Sequence, residues 1–76
     1  MKVKWAREVS GNITFDLSVG THTFFGLSGE LRQPEGWFQL DETSRLMLTE
    51  TFNDEEWIKQ IEGELPELLN RFLEGG

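Results

Sequence analysis

Cysteine and tyrosine are absent from this chain, histidine occurs once, proline twice, and seven cations face fourteen carboxylates. Each scarcity excludes something. Without cysteine there is no disulfide framework and no thiolate metal site, so 76 residues, near the lower size limit for one core, must be held by apolar burial alone. The same absence fits a reducing compartment, and a cytoplasmic location is expected. The apolar runs are two or three residues long, far short of a membrane span. Residues 1–9, MKVKWAREV, alternate polar with apolar and read as the start of a mature, soluble protein.

Chemistry is equally thin. His22 stands in Thr21-His22-Thr23, a turn-like setting that supplies no partner to orient it as an acid or base. Asp16 and Glu30 are a carboxylate pair without a cleft. Asp41-Glu42 and Asp54-Glu55-Glu56 lack the alternating ligands and central glycine of a calcium loop. Leu65-Pro66-Glu67-Leu68-Leu69 has the look of a leucine box, but its leucines are needed for core. No enzyme, metal or cofactor is expected.

Charge is divided along the chain. Residues 1–33 carry four cations and three carboxylates; residues 34–76 carry three cations and eleven carboxylates. An overall charge of −7 repels phosphate backbones and anionic membranes, so neither nucleic acid nor membrane is an expected partner, and a protein with a basic surface is.

Period-two runs define strands. Val3, Trp5 and Val9 read as one inner row, and Ile13, Phe15, Leu17 and Val19 as the next. A three-residue loop over Ser10-Gly11-Asn12 keeps both rows on one face, and a loop over Gly20-Thr21-His22 sets Leu17 opposite Phe25 and Phe15 opposite Leu27. Gly26 and Gly29 thin the third strand and point to a bend or bulge. Gln33-Pro34-Glu35-Gly36 has type I turn residues and pairs Leu31 with Phe38 and Gly29 with Leu40. Leu46-Met47-Leu48-Thr49-Glu50-Thr51 resumes the alternation as a fifth strand that Phe52 closes. Asn53, with Glu56 three residues on, caps a helix whose stripe of Trp57, Ile58, Ile61, Leu65, Leu68, Leu69 and Phe72 is broken or kinked near residues 62–65 by Gly63 and Pro66. The expected fold is α+β, one domain over residues 1–76: a curled five-stranded antiparallel meander, order 1-2-3-4-5, on one C-terminal helix.

In that register Trp5, Phe15, Phe25, Phe38, Phe52, Trp57 and Phe72 face inward. Phe24 and Trp37 face out, with Trp37 beside Arg32, and these three make a candidate contact anchor. Glu55, Glu56, Glu62, Glu64 and Glu67 make a candidate acidic surface. The fifth strand has neither lysine nor proline to blunt its edge, which makes Met47, Thr49 and Thr51 a candidate strand-pairing interface for a homodimer or partner. The class these features leave is a non-catalytic, acidic protein-binding module, an adaptor or inhibitor working by surface contact. The alternatives are a small structural subunit or homodimer, and an inhibitor that mimics nucleic acid with its acidic helix.

Overall fold

A computed structural model of the chain describes residues 1–32 and 37–75 and, at Trp37, the backbone alone. Among the described residues four strands, β1 (Lys2–Val9), β2 (Asn12–Val19), β3 (His22–Arg32) and β4 (Trp37–Leu40), precede two helices, α1 (Glu42–Phe52) and α2 (Glu55–Leu73). The sheet is antiparallel, in order β1-β2-β3-β4. The α+β class and the antiparallel sheet agree with the sequence reading. Five strands on one helix do not.

The turns explain the register. Ser10 and Gly11 both take positive φ, 53° and 84°, the requirement of a two-residue type I′ hairpin whose twist matches its strands. Val9 therefore pairs with Asn12 rather than Ile13. A bulge between Val3 and Trp5 absorbs the shift: Val3, not Trp5, lies opposite Leu17, and Trp5 falls opposite Asp16 and Ala6 opposite Phe15. Val3 and Ala6 thus face the core, and Trp5 and Val9 face away.

The second hairpin repeats the device. Gly20 and Thr21 form a two-residue turn, setting Val19 opposite His22 and Leu17 opposite Phe24. Two residues of β3, Phe25 and Gly26, then oppose Asp16 alone, and Phe15 meets Leu27. Gly26 takes φ 70° there, and its N–H donates to Asp16 Oδ1 at 2.9 Å, satisfying the group the bulge leaves unpaired. The bulge expected near Gly26 is present, but it reverses the phenylalanines. Phe24 is buried, 7% exposed, and Phe25 is 72% exposed. The third pairing matches expectation, with Leu31 opposite Phe38 and Gly29 opposite Leu40. The turn expected at 33–36 and the outward side chain expected of Trp37 fall outside the described residues.

The expected fifth strand is the helix α1. Asp41 caps it, its Oδ1 accepting from Ser44 N at 2.8 Å, and Glu42 sits favourably in the first turn. Ser44, Leu48 and Phe52, four residues apart, turn toward the core. Thr49 and Thr51 donate their hydroxyls to the carbonyls of Arg45 and Met47. Met47, Thr49 and Thr51 are therefore helical residues, and the edge-strand interface placed on them has no strand to form it. Asn53, expected as a helix N-cap, is instead the left-handed C-cap of α1 at φ 49°, and Asp54 caps α2 by accepting from Glu56 N and Trp57 N.

Helix α2 runs continuously from 55 to 73 with Pro66 inside it, so of the kink or break expected near 62–65 the break does not occur. Proline removes one helical hydrogen bond, at a cost of about 3 kcal/mol. Ile58, Ile61, Leu65 and Leu69, all fully buried on both sides of that point, hold the helix onto the sheet and offset the loss. Beneath them lie Ile13, Phe15, Leu17, Leu27 and Leu31. Arg45 ties the helices together, bonding Glu62 Oε1 at 2.8 Å and Glu55 Oε2 at 3.5 Å.

Candidate functional site

Helix α2 covers the inner face of the sheet, and no described element packs over the outer one. The two bulges decide what that open face carries. Trp5 of β1 and Phe25 of β3 stand on either side of Asp16 of β2, 44% and 72% exposed. Both aromatics were expected inside. One extra residue in each strand inverts the face of what lies beyond it, because side chains alternate with period two.

The other half of the same face is polar and acidic. Arg7, Thr14 and Ser28 form one cross-strand row, and Val9, Asn12, Glu30 and Gln39 the next. A groove of about 470 Å³ runs there, lined by Thr14, Ser28, Glu30, Gln39, Asp41 and Glu42 among others. Three of those six are carboxylates. Arg32, the candidate anchor on this face, bonds Glu30 Oε1 at 3.1 Å, and its backbone pairs with Trp37.

Asp41 closes the groove and locks α1 to the sheet. Ser28 Oγ donates to Asp41 Oδ2, Ser28 N donates to Ser44 Oγ at 2.8 Å, and Asp41 N donates to Ser28 O at 3.0 Å. The helix thereby satisfies β3 backbone groups just where β4 ends. Partial burial pushes the Asp41 carboxyl up, but the hydrogen bonds from Ser28 and Ser44 outweigh it and hold the carboxyl below the ordinary aspartate range. A carboxylate with a lowered folded-state pKa contributes stability that is full above its unfolded pKa, about 4, and is lost as pH falls through the folded value. Melts between about pH 5 and pH 2 should therefore show an acid limb that Asp41→Asn flattens, since asparagine still caps but does not titrate. Asp41→Ala should cost about 1 kcal/mol at neutral pH. An identical acid limb in wild type and Asp41→Asn would assign acid lability elsewhere.

The remaining sequence candidates are dispersed. Phe24 is buried against the half-buried Phe52 at 5.7 Å, and Phe52 meets the exposed His22 edge-on at 5.4 Å and Trp57 at 6.5 Å. His22 thus contacts the edge or face of phenylalanine rings and makes no ion pair among the described residues. Glu55 and Glu62 are drawn to Arg45 between the helices, and Glu67 bonds Arg71 Nη2 at 2.6 Å. Glu56 and Glu64 are exposed without an ion pair among the described residues. Glu55 and Glu62 thus lie on the side of α2 that meets α1, and Glu56, Glu64 and Glu67 lie exposed. Met47 and its neighbour Leu46 are exposed on α1.

Among the described residues no three His, Asp or Glu side chains are grouped to hold a metal ion, and no helix is long and apolar enough to cross a membrane. No protein-family model matches the chain, and neither a curated protein nor a solved structure matches it significantly.

Proposed function

We propose that this chain is a non-catalytic protein-binding module, an adaptor or inhibitor, whose partner docks on the outer face of the sheet. The observation that carries this reading is the pairing, on one uncovered face, of two exposed aromatics with an acidic groove. Trp5 and Phe25 supply rigid apolar contact of the kind that anchors interfaces. Glu42 offers its carboxylate to a lysine or arginine side chain, and Glu30 and Asp41, engaged by Arg32 and by Ser28 and Ser44, add negative charge beside it, so the fitting partner has an apolar patch bordered by basic residues. The excess of carboxylates in residues 34–76 speeds the approach of such a partner, most strongly at low salt. Aromatics on an open sheet are also how single-stranded nucleic acid is bound, but those platforms lie in basic grooves, and this one borders three carboxylates. A cytoplasmic setting accords with the missing cysteines.

A photo-cross-linking residue at position 25 should capture a basic protein in the source cell, with capture lost in Trp5→Ala and weakened by salt. The same residue at Lys59, on α2, should not. Equal capture from both positions, or capture indifferent to Trp5 and salt, would overturn the assignment. Capture of a second copy alone would support the structural-subunit reading in its place.

A further inference from the structure

The edge strand β1 has a second feature, on the opposite side of the sheet from the aromatics. Its far edge pairs with no strand among the described residues, and beside that edge a groove of about 440 Å³ opens between β1 and the last turns of α2. Val3, Leu68 and Phe72 give it an apolar floor, and Lys2, Lys4 and Arg71 stand around it. Three of the chain's seven cations thus collect at one groove in a protein of charge −7. Lys2 and Lys4 make no ion pair with any described residue, and Arg71 makes only the exposed bond to Glu67.

We infer that this groove and edge bind an extended acidic peptide, which adds to the sheet as a strand beside β1. Strand geometry selects the ligand. Side chains of an added strand alternate between faces, so every second residue drops toward Val3, Leu68 and Phe72 and must be apolar. The intervening residues face outward like Lys2, which pairs with Ser18 rather than with the core residue Leu17, so carboxylates there meet Lys2 and Lys4, and opposite charges across a strand pair stabilise it; Arg71 adds positive charge at the helix side of the groove. Lysines on an edge strand ordinarily repel other strands. Here they also discriminate, because an acidic segment turns the same repulsion into attraction. A second copy does not fit: joining two β1 edges sets Lys2, Lys4 and Arg7 of each chain together, with Glu8 alone to offset them, and the chain's own acidic segments are helical.

The apolar floor of this site lies on the inner side of the sheet, away from Phe25, and different variants test it. The probe is an alternating glutamate-valine octapeptide titrated into isotopically labelled protein at about 50 mM salt. Saturable shifts in β1 amides and at Leu68 and Phe72, with slowed exchange along the β1 edge, are expected. Replacing the peptide's glutamates by glutamine, or combining Lys2→Glu with Lys4→Glu, should each weaken binding about tenfold or more, while Phe25→Ala, two strands from the edge, leaves it unchanged. The lysines are exposed, so the thermal midpoint of the charge variant should stay near wild type and show that the fold is intact. Absence of binding, equal binding of the glutamine peptide, or shifts confined to another surface would overturn the inference. So would decanoate binding as tightly as the peptide without protecting β1 amides, which would give the groove to amphiphiles instead.

Discussion

Gly29→Ala should destabilise the fold by about 3 kcal/mol or more, the upper range for overpacking. A Cβ at this position would lie 2.6 Å from the Gln39 carbonyl oxygen and 2.8 and 2.9 Å from the Phe38 ring, all closer than atoms pack. Neither neighbour yields readily. Gln39 belongs to the β3–β4 ladder, and Phe38 makes an edge contact with Phe15 at 6.0 Å in the middle of the core. A domain of this size has a total stability of roughly 4–11 kcal/mol, so the variant loses a large share of it. Gly63→Ala provides the opposite sign: it lies in α2 with nothing within 4 Å of the added carbon, and should gain about 0.5–1 kcal/mol. Urea titrations of both variants check the pair. Equal midpoints would mean that β3 and β4 do not approach as closely as this geometry requires.

Trp5→Ala/Phe25→Ala should lower affinity for the captured partner about 100-fold, the loss of two anchors worth about 3 kcal/mol together. Thermal stability should barely change, because both side chains are exposed. That separation marks a surface that functions without supporting the fold. Glu56→Lys/Glu64→Lys, far from the aromatics along α2, should instead slow association and flatten its salt dependence, with little change in dissociation. If the aromatic double variant binds like wild type, the outer face is not where the partner sits.

The apolar rows Ile13-Phe15-Leu17 and Ile58-Ile61-Leu65-Leu69 were legible from periodicity alone, because each keeps one period throughout. The register of β3 against β4 was legible too, since only one alignment puts Leu31 on Phe38. The site was not legible, and the reason is local. Either hairpin could be aligned by a three-residue loop or by a two-residue turn plus a bulge, and period-two counting favours the first because it needs no irregularity. The sequence signal for the second is Ser10-Gly11, a pair that suits a two-residue turn, and both residues take the positive φ it requires while a bulge absorbs the shift. Trp5 and Phe25 moved outward as a result, and Phe24 inward. In α1, Thr49 and Thr51 gave the segment strand character, while Asp41 and Glu42 before Ser44 already formed a helix start.

The meeting of α2 with β1 also orders events in time. Hairpins β1–β2 and β2–β3 and the pair α1–α2 join neighbours in sequence, but Leu68 and Phe72 reach Val3 only after nearly the whole chain is closed into a loop. Loop-closure entropy delays such contacts, so they form after the folding barrier is crossed. Leu68→Ala should then accelerate unfolding and leave the refolding rate nearly unchanged. If the contact that closes last also opens first, the seam beside the β1 edge should part before the rest of the fold, and a strand bound across it should act as a clasp that lengthens the lifetime of the folded state.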